Sequence, residues 1–66
     1  MKVSTRKITV LMGAKLLTQR ELAELANISR ATINATLLKG SCSTQTAGRI
    51  ARALDVGPAE IIETEE

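Results

Sequence analysis

Three residue types much used in acid–base and nucleophilic chemistry are missing or single in this chain. It has no histidine and no tyrosine, and Cys42 is its one cysteine. No general acid–base pair can be assembled from that inventory, and one cysteine without histidine cannot build a zinc site. The expectation is a protein that is no enzyme and carries neither metal nor cofactor. What remains is a chemistry of hydrogen bonds and fixed positive charge. All nine Lys and Arg lie within residues 1–52 beside only Glu21 and Glu24, while Asp55, Glu60, Glu63, Glu65 and Glu66 crowd the end. A basic body with an acidic tail suits a polyanion partner held away from the C-terminus, although charge also simply keeps small proteins in solution. Aromatic residues are absent, so a single-stranded nucleic acid, which is held by stacking its bases on rings, is a poor partner.

The scaffold that must position these groups is small. At 66 residues the chain is expected to be a single domain, burying roughly 60% of its unfolded surface. A lone cysteine makes no intramolecular disulfide, and its free thiol fits a reducing cytoplasm. The core must come from Leu, Ile, Val, Ala and Met. No apolar run approaches the roughly 20 residues that span a bilayer, and residues 8–12 are too short to be the apolar part of a signal peptide. Residues 1–4 and 63–66 are expected to fray.

Capping residues and apolar spacing divide the chain into five short helices. The first covers residues 5–15, with Ile8, Leu11 and Met12 on one face, and Gly13 weakens it by about 1 kcal/mol relative to Ala. The second has the clearest start: Thr18-Gln19-Arg20-Glu21 is a capping box, and Leu17 and Leu22 have the spacing of a hydrophobic staple. It runs through Ala23, Leu25 and Ala26 to Asn27, a residue that tolerates the left-handed conformation of a sharp turn. Ser29 then caps a third helix from Arg30 to about residue 38, with Ile28 and Ile33 again at staple spacing. The β-branched Thr32, Ile33 and Thr36 make this helix depend on tertiary packing. After the polar loop 40–43 a fourth helix covers residues 44–54, with Ala47, Ile50, Ala51 and Leu54 in one stripe. Asp55, Val56 and Gly57 turn the chain into a last helix, residues 58–62, opened by Pro58.

Residues 19–38 carry the information about function. Two helices meet across a very short link, with apolar positions at Leu22, Ala26, Ile28 and Ile33 and the small Ala23 where crossing helices come closest. That pattern gives a steep helix pair whose second member faces outward. In such a unit the outward helix enters the major groove of duplex DNA while the first crosses the backbone.

The runs Leu17-Thr18-Gln19-Arg20-Glu21-Leu22-Ala23 and Asn27-Ile28-Ser29-Arg30-Ala31-Thr32-Ile33-Asn34, followed by residues 46–56, resemble the Xre or lambda-repressor-like (Cro/cI-type) helix-turn-helix domains of phage and bacterial regulators. The resemblance extends from about residue 6 to residue 62 and implies a compact all-α fold of five helices. Asn27 stands where the family usually has Gly, and Thr36 where a buried aliphatic is usual. An Arg–Glu pair common in the family falls here on Met12 and Leu37, so both halves are apolar together.

By resemblance, Arg30, Ala31, Asn34 and Ala35 are the base-facing positions. Arg30 suits the O6 and N7 acceptors of guanine, and Asn34 an adenine or the backbone. Ala31 or Ala35 suits a thymine methyl. Gln19 is implied as a phosphate ligand at the start of the second helix, with Thr18 beside it. Ser29, Lys39, Ser43, Thr44 and Gln45 are further phosphate candidates, and Thr32 bonds either phosphate or its own helix. Cys42 reads as a small spacer, and Arg49 and Arg52 as a solvated face. The resemblance implies a cytoplasmic, sequence-specific regulator of transcription, a repressor of phage or mobile-element type, acting as a homodimer on a two-fold operator. Ile61 and Ile62 are candidates for the dimer surface, if they are not core. No segment suggests a membrane or a small-molecule ligand as partner. The rival reading is the DNA-binding antitoxin of a toxin–antitoxin pair, although little chain is left over to cover a toxin.

Overall fold

A computed structural model describes residues 1–63. Four α-helices follow one another, α1 (Thr5–Ala14), α2 (Gln19–Ala26), α3 (Arg30–Lys39) and α4 (Thr44–Ala53), and Pro58–Glu60 forms one turn of 3-10 helix. All four helices begin in the same way. The hydroxyls of Ser4, Thr18, Ser29 and Ser43 accept the amides of Lys7, Glu21, Thr32 and Thr46, satisfying a donor that the helix itself leaves open. The capping box at α2 forms as its sequence predicts: the Glu21 amide donates to Thr18 Oγ1 at 3.1 Å and the Thr18 amide to Glu21 Oε1 at 2.9 Å.

The helices also end alike, through a residue in the left-handed region: Leu16 (φ 57°), Asn27 (φ 59°), Gly40 (φ 72°) and Asp55 (φ 63°). After α1 the amides of Leu17 and Leu16 return to the carbonyls of Met12 and Gly13 at 2.9 and 3.1 Å. The same pair of reverse bonds closes α2 (Ile28 to Ala23, Asn27 to Glu24) and α4 (Val56 to Ala51, Asp55 to Arg52). Each reversal drops the following residue, Leu17, Ile28 or Val56, against the core, as expected of this terminating motif. Asn and Asp accept a positive φ at little cost, but Leu does so only under strain. Leu16 is also 87% exposed, so its side chain returns almost nothing. Leu16→Gly is therefore expected to stabilise the domain by about 1 kcal/mol, read as a rise of several degrees in the thermal midpoint; an unchanged or lower midpoint would contradict it.

α2 packs against both α3 and α4. Ile8, Leu22, Ile33, Ile50, Leu54 and Ile61 are the largest fully buried side chains, with Met12, Ala23, Ala47 and Ala51 between them. Thr36 occupies its expected aliphatic position at 3% exposure. Its hydroxyl is satisfied there by donating to the Thr32 carbonyl at 2.8 Å, so burial does not orphan a polar group. Met12 is buried, and Leu37 lies half-buried against the same cluster. Both side chains thus serve an apolar core, without the desolvation cost that a partly buried ion pair would carry.

Three expectations need correction. The fifth helix is not an α-helix: Gly57 enters it extended with no side-chain cap, and Pro58–Glu60 makes a single 3-10 turn. Ile61 must then turn fully into the core, and Ile62 pairs with Val3, which stops the helix from growing. Ile61 is accordingly core, with Ile62 half-buried on it.

The N-terminus, expected to fray, is instead a clip. Val3 is 2% exposed, and isolated β-bridges join Lys2 to Ser41 and Val3 to Ile62. Four main-chain bonds hold the clip, among them Val3 N to Gly40 O at 3.0 Å and Ser4 N to Ile61 O at 2.7 Å. Glu63, also expected loose, donates its amide to Lys2 O at 3.0 Å. The rest of the tail, residues 64–66, lies outside the described residues. Among the described residues no helix is long and apolar enough to cross a membrane.

Candidate nucleic-acid interface

α3 is divided along its length. Ile33 and Thr36 face the core, whereas Arg30, Ala31, Asn34, Ala35 and Lys39 are exposed on the opposite side. Gln19, at the start of α2, shares a shallow depression with Arg30, Ala31 and Asn34. On the other flank of α3, Ala31, Thr32, Ala35 and Lys39 line a second depression with Ser41, Cys42, Ser43 and Thr46. Ala31 belongs to both. The small alanines leave a low ridge between polar flanks, a shape that can approach a surface closely.

Charge is managed at the two helix starts beside this ridge. Ser29 Oγ and Thr32 Oγ1 lie 2.8 Å apart, and Ser43 Oγ donates to Thr46 Oγ1 at 2.9 Å. Both helices therefore carry Thr where a capping box would place Glu, and neither has an acidic residue in its first turn. The positive end of each helix dipole is left open to an anion. α2 differs, because Glu21 sits in its first turn.

The expected site residues are thus brought together in part. Gln19, Arg30, Ala31, Asn34, Ala35, Thr32, Lys39 and Ser43 flank one ridge. Thr18 gives its amide to Glu21 and accepts the Glu21 amide on its hydroxyl oxygen in the capping box. Ser29 borders a further depression with Arg20 and Glu24, which Arg30 joins to the first. Gln45 lies on the far flank of α4 with Gly48, Arg49 and Arg52, and Thr44 is exposed at the start of α4. The Thr32 hydroxyl meets that of its own helix cap, Ser29. Thr46 and Ser41 were not among the expected residues. Thr46 was legible, since Ser43-Thr44-Gln45-Thr46 repeats the Ser-x-x-Thr spacing of Ser29-Arg30-Ala31-Thr32.

Cys42 is half-buried in the wall of the second depression. Burial pushes its thiol pKa up, against the opposing pull of the N-terminal charge and of the nearby Thr36 hydroxyl. A thiol held protonated is a poor nucleophile. Alkylation of Cys42 at neutral pH should therefore be slower in the native protein than in denaturant, followed by mass spectrometry. Equal rates would mean that the site is open.

Residues 7–66 match the Cro/C1-type helix-turn-helix DNA-binding domain. The chain belongs to that family. The resemblance of the residues 17–34 and 46–56 is thereby borne out. Two solved structures of PhpD, one with cadmium atoms and one with cadmium and hydroethylphosphonate, share its fold, each with a TM-score of 0.82 and 24% identity. They cover 100% of this chain, which spans 14% of the length of theirs. A likeness at that identity concerns the fold alone. No curated protein matches the chain. In this Cro/C1-type domain, α2, the link 27–29 and α3 form the helix-turn-helix, and the exposed ridge of α3 is the face it turns outward.

Proposed function

We propose that this Cro/C1-type domain is a sequence-specific regulator of transcription, a cytoplasmic repressor of phage or mobile-element type that lays α3 in the major groove. The reading rests on one observation: the exposed ridge Arg30, Ala31, Asn34 and Ala35 is flanked by Gln19 and by helix starts free of carboxylates. Arg30 gives two hydrogen bonds to guanine O6 and N7, Asn34 pairs with adenine or the backbone, and the alanines meet thymine methyls. Gln19, Lys39, Ser43, Thr44 and Thr46 hold phosphates on either side. Two copies bind together on a two-fold operator.

Selecting bound sequences from a random duplex library tests this directly. The expected motif is a two-fold repeat with half-sites one helical turn apart; a motif without symmetry would remove the dimer. On the selected site Arg30→Ala should cost about 1–3 kcal/mol and relax the preference at one base pair. Gln19→Ala should weaken good and poor sites alike. If both variants lose affinity uniformly, Arg30 is not a base reader.

A further inference from the structure

The sequence puts Arg49 with Arg52 on the solvated face of α4. Arg52 is exposed there, but Arg49 is half-buried. Its guanidinium Nη1 donates to the main-chain carbonyl of Asn27 at 3.3 Å, across a separation of 22 residues. Asn27 is the left-handed residue that closes α2, and its carbonyl lies in the link that leads directly into the cap Ser29 and the first residue of α3, Arg30.

The environment of that carbonyl calls for a cation. The carbonyl end of a helix is the negative pole of its dipole, and Lys or Arg in the last turn normally meets it. α2 has no basic residue in its last turn. Glu24 stands there instead, with Arg20 reaching toward it at 3.9 Å in an exposed pair. Arg49 supplies the missing cation from α4, the helix against which α2 is already packed. The bond closes a triangle: α4 holds the end of α2, and the end of α2 sets the start of α3.

We propose that Arg49 is a positioning residue for DNA reading, clamping the α2–α3 link to α4 and thereby fixing the setting of Arg30 and the rest of α3. This rests on the reading of α3 as the helix that enters the groove. Arg49 itself touches no DNA. Its loss should therefore impair recognition of the right sequence without removing a phosphate contact.

The test compares the wild-type domain with Arg49→Gln and Arg49→Lys on the selected duplex and on a scrambled duplex over a range of salt. Losing a hydrogen bond from a charged donor should lower affinity for the selected duplex about three- to tenfold in Arg49→Gln. Affinity for the scrambled duplex and the salt slope should stay as in the wild type. Arg49→Lys, which keeps a cation beside the carbonyl, should recover part of the discrimination. Amide exchange without DNA gives the second readout: in Arg49→Gln, exchange should quicken at residues 28–33 and not in α1. Equal losses on both duplexes, with the salt slope shallower by about 0.9, would make Arg49 a phosphate ligand and overturn the proposal. Unchanged discrimination or unchanged exchange would overturn it as well. If no duplex is selected at all, the DNA reading of α3 falls, and the exchange data alone decide whether the clamp exists.

Discussion

Leu22→Ala is expected to lower the unfolding free energy by about 2–5 kcal/mol, against the roughly 3–10 kcal/mol that a domain of this size holds. Leu22 is wholly buried in α2, in one cluster with Ile33 of α3 and Ile50 of α4. Truncation therefore opens a cavity where the helix-turn-helix joins the rest of the core. The cluster includes Ala23, Ala47 and Ala51, which have no side-chain length to relax into the cavity, and the chain has no aromatic residue to swing across the gap. Urea titration followed by circular dichroism gives the measurement. Leu25→Ala is the control: Leu25 lies on the same helix but is 60% exposed, so its change should stay within about 0.5 kcal/mol. Similar losses from both would mean that α2 does not bury the face described here.

The second large effect concerns binding. Raising monovalent salt from about 50 to about 200 mM should weaken duplex binding by about two to three powers of ten for each protomer bound, if each neutralises about four to six phosphates. Each neutralised phosphate releases condensed counterions, and that gain shrinks as bulk salt rises. The groups concerned are arranged for it: Arg30 and Lys39 are exposed on α3, and the starts of α3 and α4 carry no carboxylate. Asp55 and Glu60 fall instead beyond α4. Titration by fluorescence anisotropy over that salt range gives the slope. An affinity indifferent to salt, or a preference for single strands, would remove duplex DNA as the partner.

Much of this was readable from local chemistry. Hydroxyl residues at Thr18, Ser29 and Ser43 mark helix starts because a helix leaves its first amides open. Asn27 marks an end because few residues accept its backbone conformation. The apolar pattern says less about α3: Thr36 is buried while Leu38 is 79% exposed, so its inward face was legible from the cap at Ser29 and from the family resemblance rather than from periodicity. The unread features depend on partners distant in sequence. Nothing near Val3 announces that Gly40 and Ile62 will pair with its neighbourhood, and nothing near Arg49 announces a carbonyl 22 residues away. The short last element failed for a related reason, since the core claims Ile61 before a helix can continue. Within the site, the split between residues gathered along α3 and those on the far flank of α4 follows from how α4 is rotated, which spacing alone does not specify.

The N-terminal clip has a topological consequence. Lys2 receives the Glu63 amide at 3.0 Å and Val3 is bridged to Ile62, so the chain enters and leaves the fold side by side. The domain is in effect a loop already closed at its base. Neighbouring ends of this kind let a domain be spliced into a surface turn of a host protein, or joined end to end and reopened elsewhere, without pulling its helices apart. Gly57 and Pro58, both exposed between α4 and the final turn, are a natural place to cut such a ring.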